Sequence, residues 1–242
     1  MANPLHKAGR SGTSVTHSKE HALSDSEFEM LLEGSRNLKR SDYYYTPDPE
    51  FIIVALGRLG MRRGELVHMK ESWIDWRNKM IFIPSHEPCD FGKGGEVCGY
   101  CCQMAKQRAE YADDELSYEE ALEWVWTPKT QAAAREIYFG FDPRIEMYIK
   151  RYFENDEYNR VEVSGTAVNR RVKKSASYVD EINENMIYPH ALRATAATYH
   201  AARGLEMLSL MQYMGWCQPS TAEVYIGRNG KNTKRQLDAI HS

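Results

Sequence analysis

Several residues able to act on a phosphate ester recur along this chain at positions where local structure can aim them. Tyr188-Pro189-His190-Ala191-Leu192-Arg193 sets a histidine and an arginine three residues apart, on one face of a helix that Pro189 can open. The Ala-rich run to Arg203 continues that helix and Gly204 stops it. A second helix runs from Met207 to Met214, stopped by Gly215. Ser220-x-x-Glu223 has the capping-box pattern and predicts a third helix holding Tyr225 in its first turns. Upstream, Leu59-Gly60-Met61-Arg62-Arg63-Gly64-Glu65 places Arg62 just after a helix-ending glycine, and Thr127-Pro128-Lys129-Thr130 places a lysine in a turn between β-prone runs. Two guanidinium groups, here Arg62 and Arg193, can hold both non-bridging oxygens of a phosphodiester through paired hydrogen bonds. Those contacts strengthen as charge grows in the transition state, which is where stabilisation raises a rate. A tyrosine, with an ordinary pKa of about 10, becomes a nucleophile only with a base or cationic surroundings, and His190 is the candidate acid/base.

Any one of these features alone is an ordinary helix surface or core position. Together, Arg62, Lys129, His190-x-x-Arg193, Trp216 and Tyr225 form an ordered set that resembles the tyrosine recombinases, the phage-integrase family. Gly60-Met61-Arg62-Arg63-Gly64-Glu65-Leu66 is similar to that family's first box, and Gly215-Trp216 followed by Tyr225 to its last. The match runs from about Leu23 to the C-terminus. The resemblance implies attack by Tyr225 on phosphorus, a 3′-phosphotyrosyl intermediate, Lys129 protonating the leaving 5′-oxygen, and Trp216 packing on the tyrosine helix where many relatives carry histidine. It also implies double-stranded DNA as partner, further protomers in a tetrameric synapse, and no cofactor for catalysis.

Between the strand-like Met80–Ile83 and the Lys129 turn lies an insertion, about 85–123, holding four of the five cysteines. Cys98-x-x-Cys101 has ligand spacing, and Cys89 stands near it. His86 or Cys102 could complete a four-ligand set, so the expectation is a structural zinc site with reduced thiols as the alternative. Such a cluster in a cytoplasmic chain points to metal or free thiols rather than disulfides. The block from His86 to Gln103 looks like one found in haloarchaeal members of the family. Cys217 reads as packing.

The elements that must position these residues predict an α+β fold, mostly helical, with a small antiparallel sheet carrying the lysine hairpin. Trp73–Trp76, Met80–Ile83, Trp124–Trp126 and Arg135–Phe139 read as strands. Ser24-x-x-Glu27 caps a helix through Phe28, Leu31 and Leu32, with Gly34 as its stop. Pro49 opens a buried helix that Gly60 ends, Phe141-Asp142-Pro143 opens another, and Thr166 caps a helix bearing Arg170, Arg171, Lys173 and Lys174. That basic cluster is the candidate DNA surface, despite a net charge of -3 over 242 residues. Residues 1–20 read as a disordered leader and 21–242 as the catalytic domain, with a tail over 226–242 and no N-terminal core-binding domain. No stretch has the roughly 20 apolar residues of a membrane span, and a cytoplasmic protein is expected. A type IB topoisomerase-like nicking-religation enzyme, or a non-catalytic zinc-containing DNA-binding regulator, are the rival readings.

Overall fold

The computed structural model describes residues 18–40, 48–111, 116–123, 126, 128, 131–154 and 159–226, with 234, 237, 238 and 241 in the tail. A 3-10 turn, Ser18–His21, precedes α1 (Asp25–Arg40). Of the leader expected over 1–20, Ser18–Glu20 therefore take part in this turn and the rest lies outside the described residues. The predicted capping box forms: the Ser24 N–H donates to Glu27 Oε2 at 2.8 Å, and the Glu27 N–H to Ser24 Oγ at 3.3 Å. Gly34, expected to end α1, lies inside it. A Cβ there would sit 2.4 Å from the Ser175 carbonyl oxygen, so the glycine serves a close helix–helix approach instead of a stop.

The central helix is α2 (Pro49–Gly57), buried along its whole length because its sequence is apolar on every face. Around it pack α1, α6 (Pro143–Phe153), α7 (Gly165–Ala176) and α8 (Pro189–Ala202). Arg58, just after α2, is buried between the rings of Phe28 at 3.6 Å and Tyr199 at 4.0 Å and reaches Asp25 at 3.3 Å, joining α1, α2 and α8. Asp142 caps α6 by accepting from the Arg144 N–H. Ser164, not the expected Thr166, caps α7 by accepting from the Ala167 N–H at 3.1 Å.

A three-stranded antiparallel sheet, β1 (Ile74–Asp75), β2 (Met80–Ile83) and β3 (Arg135–Tyr138), pairs in that order. Ile81 and Ile137 face each other across the ladder and are both fully buried. The insertion contributes α4 (Gly99–Tyr111) and α5 (Tyr118–Glu123), packed on each other. After α8 come α9 (Met207–Met214) and α10 (Pro219–Glu223). The mostly helical α+β architecture expected from sequence is therefore the one observed. No helix among the described residues is long and apolar enough to cross a membrane.

Candidate active site

The site is built around two glycine turns and one short helix. Gly60 and Gly215 both take left-handed φ, +60° and +62°, a region that costs a residue with a Cβ but not glycine. Gly60 turns the chain out of α2 so that Arg62 becomes the N-cap of α3 (Arg63–Leu66). Gly215 ends α9, as its sequence predicts, and releases Trp216 toward Tyr225.

Arg62 donates through one guanidinium nitrogen to Glu65 Oε1 at 2.7 Å and through another to the Gly215 carbonyl at 2.7 Å. Its backbone N–H donates to Glu65 Oε2 at 2.7 Å. Arg193, on the face of α8 turned inward, donates to the carbonyls of Gly60 and Met214. The two arginines thus clasp the same Met214–Gly215 junction from two elements. The Arg193 guanidinium lies 6.0 Å from the Trp216 ring, and Trp216 stacks on Tyr225 at 5.2 Å with 19° between the planes.

A third arginine, which sequence reading placed only in a strand, completes the cluster. Arg135 opens β3 at an inward register and is buried. It forks onto Glu65, at 2.8 Å to Oε1 and 3.0 Å to Oε2, and donates to the Tyr213 carbonyl at 2.7 Å. Burial alone would raise the Glu65 pKa, but the facing guanidinium of Arg135, helped by Arg193 and Arg62, overrides it and holds the carboxyl at about 2. Burial pushes the Arg193 guanidinium well below its ordinary value. The Glu65 carboxylate opposes that push, and Arg62 and Arg135 add to it. Three cations around one carboxylate leave the cluster cationic, suited to an incoming anion.

Tyr225 lies in the turn after α10 and not inside a helix. Gln218 is the N-cap of α10 and Pro219 its first residue, and the Ser220–Glu223 capping box does not form. Burial raises the Tyr225 pKa, while a hydrogen bond with Ser18 and the charge of Arg193 work against that. The phenol is therefore neutral at rest. The 3-10 turn lies over it: Lys19 Nζ is 5.9 Å from the Tyr225 ring and donates to the Val224 carbonyl. His190 is exposed on the first turn of α8, three residues before Arg193. Lys129 lies outside the described residues. The structure therefore brings together Arg62, Arg193, Trp216 and Tyr225, with His190 on the same helix as Arg193.

Arg170, Arg171, Lys173 and Lys174 lie on α7, where Arg170 and Lys173 are exposed and Arg171 and Lys174 half-buried. The cysteine cluster differs from its expected form. Cys89, Cys98 and Cys101 converge, but their fourth neighbour is His68, absent from the expected set. His86 Nε2 turns instead to the Glu123 carbonyl at 3.3 Å, and Cys102 Sγ to the Val97 carbonyl at 3.6 Å. The helix starts at Gly99, so Cys101 and Cys102 both lie in its first turn. Cys102 is therefore rotated about 100° around α4 from Cys101 and cannot face the same point. Cys217, expected in packing, is exposed.

The phage integrase family profile matches residues 22–231. The chain belongs to the phage integrase family. Its fold is also that of solved tyrosine recombinases. The Tn1549 transposon integrase in complex with transposon right end DNA is similar at a TM-score of 0.60 and 18% identity, over 95% of this chain and 69% of that one. The same integrase with circular intermediate DNA gives 0.60 and 18%, over 93% and 68%. The XerA recombinase gives 0.54 and 17%, over 91% of this chain and 65% of that one. At these identities the likeness is one of fold. Among curated proteins, none matches this sequence. For this member of the integrase family, the box around Arg62, the His190-x-x-Arg193 pair and the Trp216–Tyr225 end of the chain are the parts the fold draws together.

Proposed function

We propose that this chain carries the catalytic domain of a site-specific DNA recombinase, an integrase or excisionase of a mobile element. One observation carries the reading: Arg62 and Arg193 both close on Met214–Gly215, and the next residue, Trp216, stacks on Tyr225. Two fork-shaped cations and a tyrosine around one point suit a phosphodiester.

In this reading the Tyr225 oxygen bonds to phosphorus, the bond to the 5′-oxygen breaks, and the DNA 3′ end stays on the enzyme as a phosphotyrosine. His190 takes the phenol proton, and Lys129 gives a proton to the departing 5′-oxygen. Arg62 and Arg193 exchange part of their backbone partners for the non-bridging oxygens and stabilise the charge that builds there. Trp216 holds the tyrosine ring and can donate its indole N–H to the phosphate. The phosphotyrosyl bond conserves the energy of the broken one, so a 5′-hydroxyl from a partner strand can attack it and rejoin without a cofactor. Zinc in the cysteine-bearing insertion has a structural part only.

The partner is double-stranded DNA. Two similar solved structures are integrase–DNA complexes, and the exposed Arg170 and Lys173 offer phosphate contacts on α7. The catalytic module spans 21–242, with the insertion about 85–123 and the tail 226–242. Four protomers meet in a synapse, where the tail docks on the next protomer. The enzyme works in the cytoplasm, on the replicon it rearranges.

The test is strand exchange between two labelled duplexes carrying the repeat sequences of the protein's own replicon. Recombinant products requiring both duplexes are expected. Nicking and religation on single duplexes, with no exchanged products under any pairing, would replace the reading with a topoisomerase-like one.

A further inference from the structure

We propose that His68, Cys89, Cys98 and Cys101 bind one zinc ion in a tetrahedral site of three sulfurs and one nitrogen, fastening the insertion to the turn that follows Arg62. The four candidate ligand atoms lie within 4.8 Å of one another. His68 Nε2 is 3.4 Å from both Cys98 Sγ and Cys101 Sγ. With Zn–S near 2.3 Å and Zn–N near 2.0–2.1 Å, a tetrahedron sets sulfur and nitrogen about 3.6 Å apart, close to the observed edges.

The surroundings fit a metal better than loose thiols. The other imidazole nitrogen, Nδ1, faces the Gly64 carbonyl at 2.8 Å. A proton there, donated to that carbonyl, leaves the Nε2 lone pair aimed at the sulfurs, which is how a metal-bound histidine is oriented. The Cys101 N–H donates to Cys98 Sγ at 3.5 Å, folding the Cys-x-x-Cys loop so that both sulfurs face one point. His68, Cys89 and Cys101 are buried behind an aromatic wall, with Trp126 stacked 5.3 Å from the imidazole and Phe91 at 5.2 Å. All five cysteines are free. A Cys₃His set is one of structural zinc.

The ligands come from three separate stretches. His68 follows α3, Cys89 lies in the loop after β2, and Cys98 and Cys101 stand at the start of α4. His68 is tied by Nδ1 to Gly64, inside the helix that Arg62 caps. Zinc would therefore brace the turn that presents Arg62 without touching the reacting phosphate. The effect on cleavage rests on the recombinase reading; the metal site does not.

Native mass spectrometry of the reduced full chain should show about one zinc per chain. Cys98→Ser and His68→Ala should lose it, whereas Cys102→Ser and His86→Ala should retain it. Cobalt reconstitution should give tetrahedral visible bands with sulfur charge transfer. His68→Cys, which can still fold around a metal, should keep the stoichiometry and shift those bands toward an all-sulfur spectrum. Absence of metal, or loss of metal in Cys102→Ser together with an unchanged cobalt spectrum in His68→Cys, would overturn the site. Bound zinc in a protein that fails to cleave DNA would instead count against the recombinase reading alone.

Discussion

Two buried polar clusters are reached from one short stretch, Arg62–His68, and they differ in the chemistry of their groups. Glu65 belongs to the first, where Arg62, Arg135 and Arg193 surround a single carboxylate and the balance is cationic. His68 belongs to the second, where three sulfurs and an imidazole converge. In the readings proposed above, the first receives a phosphodiester and the second a dication. The difference teaches how the two tasks are divided. The arginine cluster sets Arg62 and Arg135 on the Glu65 carboxylate and turns further donors of all three arginines to backbone carbonyls, while the cysteine cluster turns its ligand atoms on one another.

That contrast can be broken most severely at Glu65. Glu65→Gln leaves three guanidiniums without their carboxylate, and removing one partner of a buried ion pair costs about 3–5 kcal/mol. Urea unfolding should show a loss of that size, and stability near wild type would mean the cluster is solvated and not paired. The same residue sets an acid limit. Its folded pKa, about 2, is depressed from an ordinary 4.5, so its contribution is present above the ordinary value and lost as pH falls from about 4.5 toward about 2. Glu65→Gln should lack that window. Arg62→Ala and Arg193→Ala come next. Each should slow DNA cleavage by about 10²–10³, the effect of one lost oxyanion-type contact, with DNA binding changed much less. Single-turnover rates on a nicked substrate measure it. Near wild-type cleavage by both variants would place the phosphate clamp elsewhere. Chelating the zinc proposed at His68, Cys89, Cys98 and Cys101 should have the smallest effect, slowing cleavage by less than Arg62→Ala, because only the bracing of the Arg62 turn would be lost.

The convergence of Arg62, Arg193, Trp216 and Tyr225 was legible in the sequence because these residues sit in short boxes with local structural causes. Gly60 before Arg62, Pro189 before His190 and Gly215 before Trp216 each force a turn or open a helix, and the structure keeps all three. Arg135 was read as a strand residue but not as a partner of Glu65, since that pairing is a tertiary contact. The available signal was an arginine at the inward register shared with Ile137 and Phe139, which a buried strand face admits only with a counter-charge. His68 was missed for the same reason, and the local spacing that favoured Cys102 and His86 carried no information on which side of α4 or of the loop each would face. Gly34 shows the opposite failure. A local rule ended the helix there, while close packing against Ser175 required a glycine in its middle. Local boxes brought the candidate residues into view, and long-range packing chose their supports.

The proposed recombinase reading bears most directly on Tyr225, the residue it assigns to attack phosphorus. Wild-type protein incubated with a nicked suicide duplex from its own replicon should yield a DNA adduct stable to denaturing gels, and peptide mapping should find the nucleotide on Tyr225. Tyr225→Phe should bind the same duplex and give no adduct, because only the attacking oxygen is gone. An adduct that persists in Tyr225→Phe, or maps to another residue in the wild type, would contradict the account.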